Sequence, residues 1–236
     1  MQIQVGSAPW TRMLAEGAAA LGVRLDASQV RLLSIHAREL LKWNRSINLT
    51  RITDPLEVAV KHFLDSLAAA PVIGPEKDIL DIGTGGGFPG LPLKVALPDA
   101  QVTLVDSVRK KVSFLKHVIR ETRLAGIKAL QGRIEDLAEH PGYAQQYEVV
   151  ISRALSPLSV FVRQALPFLS PKGILIAMKA GRAAQEIRAL KAQHQSGQAE
   201  KMVRLVELRQ VVLPVLNLKR HIVVLKPVAP QASRLL

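Results

Sequence analysis

The chain has 236 residues, with 32 lysines and arginines against 19 aspartates and glutamates, a formal net charge of +13. Apolar residues at 48% supply a sizeable core, and 15 glycines and 14 prolines are an ordinary share, which excludes a collagenous, linker-dominated or disordered basic chain. The absence of cysteine excludes disulfides, thiolate nucleophiles and cysteine-based zinc sites.

The amino terminus, MQIQVGSAPW, lacks the basic start and apolar run of a signal peptide. No stretch of about 18 apolar residues offers a membrane span. A soluble, cytoplasmic protein is expected. Residues 1–70 read as helical. Asp26 or Ser28 is placed to cap a helix through about Asn44, with Val30, Leu33, Ala37, Leu40 and Leu41 on one face. Asp54-Pro55-x-Glu57 opens another helix, with an N-cap, a proline at the first position and a glutamate at the capping-box position. Val60, Phe63, Leu64 and Leu67 then recur at helical spacing, a core stripe.

From residue 78 short apolar runs alternate with amphipathic segments. Strands are expected at 78–82, 101–105, 128–132, 148–153 and 173–179, with helices near 89–97, 108–124, 156–169 and 182–193. That alternation indicates an α/β, doubly wound, Rossmann-like sheet. Segments 203–213 and 219–226 are too close for a helical crossover, so they pair antiparallel. The expectation is a mostly parallel seven-stranded sheet with an antiparallel C-terminal pair. Residues 1–70 would form a helical extension packed on a catalytic domain of 71–236. Residues 191–201 are the most loop-like.

The charge is uneven. Residues 1–106 hold ten basic and eleven acidic side chains, whereas 107–134 hold eight basic and one acidic, and 149–226 hold thirteen and three. The functional reading is a phosphate-attracting surface; the plainer one is solubility or compositional bias. Charge alone does not decide between them.

The sharpest motif follows the first strand: Asp81-Ile82-Gly83-Thr84-Gly85-Gly86-Gly87-Phe88-Pro89-Gly90. An acid and closely spaced glycines let the backbone turn tightly against a ligand. Gly85-x-Gly87-x-x-Gly90 matches the dinucleotide fingerprint, a weak signal alone. The competing ligand is S-adenosylmethionine (SAM), which needs a backbone turn for its amino-acid end and a carboxylate for its ribose. Asp106, ending the second strand, suits either ribose. Asp81 directly before the glycines, and the C-terminal antiparallel pair, favour SAM.

DIGTGGGFPGLPL, LVDSVRKKVSFLKHV, GRIEDL and VISRAL, with LLKWNRSINLT…KHFLDSL before them and KRHIVVLKP after, resemble the GidB/RsmG family of small-subunit rRNA guanine-N7 methyltransferases. The resemblance spans about residues 30–227; the first 25 or so residues and the last nine match nothing in it. It implies a class I SAM-dependent methyltransferase acting on N7 of a guanine in the 530 loop of 16S rRNA, with S-adenosylhomocysteine as product. By resemblance, Gly83 and Phe88 lie against SAM, Ile134 and Glu135 at the adenine, Arg153 at the mouth of the site, and Asp106 at the ribose. Asp81, Gly85 and Gly87 complete the cofactor set.

Guanine N7 carries a free lone pair, so its attack on a methyl group needs no general base. None is expected, and catalysis rests on positioning. Arg153 then suits a phosphate or SAM-carboxylate contact. Candidate RNA contacts are Arg109, Lys110, Lys111, Lys179, Arg182 and Arg220, each also readable as a solvated charge. His62 is either at the site or structural. Trp43, Asn44 and Asn48 suit base recognition or, for Trp43 preferably, packing. The histidines show no metal spacing, so no metal is expected. The expected partner is 16S rRNA or the small ribosomal subunit, and the protein is expected to be a monomer. The alternatives are an NAD-dependent oxidoreductase and a non-catalytic RNA-binding module.

Overall fold

The computed structural model describes residues 3–74, 77–153, 157–181, 183–195 and 202–228. Its centre is a seven-stranded sheet of β1 (Asp78–Ile82), β2 (Gln101–Asp106), β3 (Ile127–Gln131), β4 (Tyr147–Arg153), β5 (Leu169–Lys179), β6 (Val203–Leu213) and β7 (Leu218–Pro227). The order is β3-β2-β1-β4-β5-β7-β6. The first five strands are parallel, and β7 runs antiparallel to both β5 and β6. The antiparallel pair is as expected. Its insertion, with β7 between β5 and β6, is a long-range choice that local pattern does not encode.

The parallel strands are apolar on successive residues because both faces are covered. Ile79, Val102, Leu104, Val149 and Ile151 face one apolar cluster, and Leu80, Ile82, Val105 and Val150 face the other. The second cluster is closed by α9 (Leu158–Ala165) and α10 (Ala183–Gln195). The first is closed by α6 (Gly90–Ala96) and α7 (Arg109–Thr122), together with the N-terminal helices α1 (Ala8–Ala20) and α2 (Ala27–Asn44). The first 25 residues, silent in the sequence, thus supply core. Trp10 and Leu14 are fully buried, and the Trp10 indole N–H donates to the Pro55 carbonyl at 2.9 Å.

Asp26, and not Ser28, caps α2. Its side chain accepts the Gln29 N–H, and the Gln29 side chain accepts the Asp26 N–H, a complete capping box. Asp54 caps α3 (Pro55–Val58) by accepting the Glu57 N–H, but Glu57 turns its own side chain to Lys61, so this box is half formed. The helix then widens into a π-helical segment at Ala59–Leu64 before α4 (Asp65–Leu67) and α5 (Ala70–Ile73).

Four other segments depart from expectation. The helix expected over 156–169 ends at Ala165 and passes through a 3-10 turn at Leu166–Phe168, which contains Pro167. Strand β5 already starts at Leu169, and its register with β4 shifts near Pro171. A short helix α8 (Ile134–Ala138) with Glu135 and Asp136 in its first turn was not anticipated. Helix α10 continues through Gln195, because Ala, Lys and Gln favour helix more than loop; residues 196–201 lie outside the described residues.

Candidate functional site

The glycine loop leaves β1 where the sheet's order reverses, between β1 and β4, the position at which open α/β sheets bind ligands. Gly83, Gly85 and Gly87 have φ of 69°, 60° and 91°, the left-handed region that glycine adopts without strain. The turn is closed on itself. Gly83 and Thr84 donate N–H bonds to the Val105 carbonyl, and Gly87 and Phe88 donate to the Thr84 carbonyl. Beneath it lies Asp81, wholly buried. Its Oδ2 accepts the Thr84 hydroxyl at 2.6 Å and the Gly90 N–H at 2.8 Å, while Oδ1 has no partner. Burial raises its pKa to about 6, against the pull of these two donors.

Asp106 closes the other side. Its Oδ2 accepts the Gly85 N–H at 3.0 Å, its Oδ1 accepts the Val108 N–H at 2.9 Å, and Lys111 Nζ stands 3.7 Å away. The carboxylate lines a cavity of about 310 Å³ with Gly83, Lys111, Ile134, Glu135 and Gln164. That is within the roughly 300–1,000 Å³ of small-molecule sites. Gln164, unnoticed in the sequence because it comes from α9, donates to Glu135 at 2.8 Å. A cavity of about 490 Å³ lies at the opposite edge, among the first residues of four strands, Asp78, Gln101, Ile127 and Tyr147. Strand polarity separates it from the glycine loop.

Phe88 and Arg153 belong to a second group next to the loop. The Phe88 ring is sandwiched between His36 (4.7 Å) and His62 (4.6 Å), with the Arg153 guanidinium 5.1 Å from its centroid. Arg153, ending β4, donates to the Lys61 carbonyl at 2.7 Å and to Asp65 at 3.4 Å, and its Nη2 is 3.1 Å from His62 Nδ1. Asp65 also pairs with Arg220 of β7 at 3.2 Å. The π-helical segment contributes Lys61 and His62 to this group; such segments recur at functional sites. His62 Nε2 is 2.8 Å from the Thr50 hydroxyl, and His36 Nε2 is 2.8 Å from the Gly86 carbonyl.

Burial lowers the pKa of His36 to about 4 and that of His62 to about 3, the latter helped by the Arg153 charge. Both are therefore neutral at pH 7. The unfolded chain, with its histidines near 6.5, takes up these protons first, so this contribution is full above about pH 6.5 and is lost as pH falls towards 4. Replacing His36 by Gln removes one such group. Urea titrations between pH 6.5 and 4.5 are expected to show a stability slope flatter than wild type by up to about 1.4 kcal/mol per pH unit. Parallel slopes would rule out a buried neutral His36.

The RNA candidates separate. Arg109 and Lys110 are exposed at the start of α7, whereas Lys111 faces Asp106. Lys179 pairs with Glu186 at 3.0 Å with only 10% of its side chain exposed, and Arg220 is held by Asp65. Arg182 lies outside the described residues. Trp43 packs on Phe114 and His117, and the Asn44 side chain accepts the Leu49 and Thr50 N–H groups, so both serve structure. Among the described residues no group of three His, Asp or Glu side chains is placed to hold a metal.

A dinucleotide needs free N–H groups to cradle its pyrophosphate. Here the N–H groups of Gly83, Thr84, Gly85, Gly87, Phe88 and Gly90 are used within the protein, Pro89 has none, and among the loop's described residues only the Gly86 N–H is left without a partner. The cavity beside the turn brings Gly83, Asp106, Ile134 and Glu135 together. The chain superposes on a SAM-dependent methyltransferase from Aquifex aeolicus with a TM-score of 0.56, at 16% identity over 77% of this chain and 97% of that one. It also superposes on M. jannaschii TYW2, solved with AdoMet, with a TM-score of 0.52, at 14% identity over 70% and 77%. The fold is that of the class I SAM-dependent methyltransferases.

The sequence comparisons narrow the class. Residues 29–217 match the GidB family model, described as rRNA small subunit methyltransferase G. Proteins named ribosomal RNA small subunit methyltransferase G are 47% identical in Geobacter sp. (strain M21), over 76% of this chain and 82% of the relative. The corresponding protein of Alkaliphilus oremlandii is 36% identical over 94% and 92%, and that of Geotalea uraniireducens 41% over 92% and 97%. The chain belongs to the GidB family.

Proposed function

We propose that the protein transfers the methyl group of SAM to N7 of a guanine in the 530 loop of 16S rRNA, releasing S-adenosylhomocysteine. The family match over residues 29–217 carries this reading, and the chemistry of the site agrees with it. SAM supplies the electrophilic methyl group. Asp106 holds the ribose, Ile134 and Glu135 flank the base, and the Gly83–Gly85 turn takes the amino-acid end. N7 attack requires no proton removal. The imidazoles nearest the loop, His36 and His62, are stacked on Phe88 and hydrogen-bonded, in keeping with a site that positions without acid–base chemistry. Arg153 is tied by Lys61 and Asp65, which holds its cation in place beside a reaction whose product is itself positive.

The partner is 16S rRNA, free or in the small subunit, met at a base splayed from its stack. Arg109 and Lys110 offer the phosphate contacts beside the cofactor cavity. The helices of residues 1–70 share one apolar cluster with the sheet, which supports one unit in which they extend the 71–236 catalytic domain; a monomer is the proposed state. The reading places the enzyme in the cytoplasm with its rRNA. The test is incubation with SAM and 16S rRNA, both naked and assembled, followed by nuclease digestion and mass spectrometry. One 7-methylguanosine per rRNA is expected. Methylation at another base, or none on either substrate, would overturn the reading.

A further inference from the structure

Charge counting assigned no basic excess to residues 1–106, yet the structure gathers unpaired arginines there. Arg31, Arg38 and Arg45 stand seven residues apart on α2, the last at its C-cap. Seven residues are close to two helical turns, so the three share one face, about 10 Å apart and spanning roughly 21 Å. All three are exposed, as is Arg12 on α1. Between α1 and α2 lies a groove of about 650 Å³ lined by Arg12, Arg31, Arg38, Thr11 and Ser34. Asp26 is its one acid, and its carboxylate is spent on the α2 cap.

These arginines differ from the others near the site. Arg153 and Arg220 share Asp65, whereas none of Arg12, Arg31, Arg38 and Arg45 carries an ion pair among the described residues. Exposed guanidiniums in one row, with the one intervening carboxylate, Glu39, turned to His117 and Lys42, are placed for an extended anion and not for fold stability. The row also has a direction. At one end of α2, Gln29 reaches the Val95 carbonyl near the far end of α6. Towards the other, His36 bonds the glycine loop, and Asn44 braces Thr50, which reaches His62 beside Arg153. The stripe thus leads up to the mouth of the methyl-transfer site.

We infer that the α1–α2 groove and its arginine stripe form a second rRNA-binding track, one that grips phosphates along roughly 21 Å of α2 outside the methyl-transfer site. It rests on the rRNA methyltransferase reading above and adds where the substrate extends. Spacing along a helix suits backbone phosphates, which position without reading sequence. Guanidiniums suit them through paired N–H donors.

The test compares wild type with the double variant Arg31→Gln/Arg38→Gln in the full chain. Binding to 16S rRNA and to a short oligonucleotide of the target loop is measured as a function of salt, alongside SAM affinity and Tm. Two lost contacts should lower the slope of log K against log salt for 16S rRNA by about 1.4 and weaken binding roughly tenfold. Binding of the short oligonucleotide, SAM affinity and Tm should stay at wild-type values. An unchanged rRNA slope and affinity in the variant overturns the track and leaves the function standing. Unchanged rRNA binding together with lost binding to phosphatidylserine vesicles assigns the stripe to a membrane surface and overturns it too. A wild-type chain with no affinity for 16S rRNA overturns the function and the track together.

Discussion

Replacing Gly90 by alanine is expected to lower Tm by about 10 °C and to abolish measurable SAM binding. A Cβ at this position would run into the Leu104 side chain and come within 2.8 Å of Asp81 Oδ2. Overpacking of this kind costs about 1–3 kcal/mol. The intruding methyl also pushes aside a buried carboxylate that has only two donors, one of them the Gly90 N–H itself, and a lost donor there costs about 1–3 kcal/mol more. For a chain of this size each kcal/mol shifts Tm by about 2–4 °C. Because Asp81 also holds Thr84, whose carbonyl takes the Gly87 and Phe88 N–H groups, the damage passes directly into the loop. Circular dichroism melting and titration calorimetry with SAM check both effects. Wild-type values of either would show that α6 does not approach β1 and β2 as closely as described.

The second large effect is expected at Arg153. Removing its guanidinium leaves Asp65, with an 8% exposed side chain, paired to Arg220 alone, and frees the Lys61 carbonyl. Breaking a buried pair by deleting one partner costs about 3–5 kcal/mol, and the remaining Arg220 contact puts this case near the lower end. Arg153→Ala should therefore lose about 3 kcal/mol in urea denaturation and at least about tenfold in methylation, since Phe88 and the π-helical segment lose a common anchor. Arg153→Lys keeps the charge but not the fork that spans Lys61, Asp65 and His62, so it should recover stability in part and methylation hardly at all. Full stability and full methylation in the alanine variant would remove Arg153 from the account.

Both variants also mark where local pattern ends and long-range contact begins. Asp81, the glycines and Asp106 were legible because the needs of a tight turn and a strand-end carboxylate show within a few residues of chain. The strands and helices of the sheet were legible for the same reason, as hydrophobic periodicity is set by neighbours along the chain. Phe88 shows the limit. The family resemblance set it against the cofactor; its ring also meets His36 and His62, residues distant in sequence, and no spacing reports a stack built from three separate elements.

The π-helical widening at Ala59–Leu64 was hidden in a stripe, Val60, Phe63, Leu64 and Leu67, that fits an ordinary helix equally well. The widened segment meets partners outside its own helix: Arg153 on the Lys61 carbonyl and the Thr50 hydroxyl on His62.

The sequence by itself determined the alternating α/β pattern, the acid-led glycine loop, the carboxylate that ends the second strand at Asp106, and the family. It determined net charge but not where charge is available. The block at 149–226 proved to include arginine and lysine bound up with Asp65 and Glu186, while near-neutral residues 1–106 carry four exposed arginines with no ion pair among the described residues, three of them lining one groove. Only the tertiary structure decided that, along with the insertion of β7 and the Arg153–Asp65–Arg220 cluster. The physical reason is the same in each case: a side chain's charge belongs to the chain, but its partners are chosen by folding.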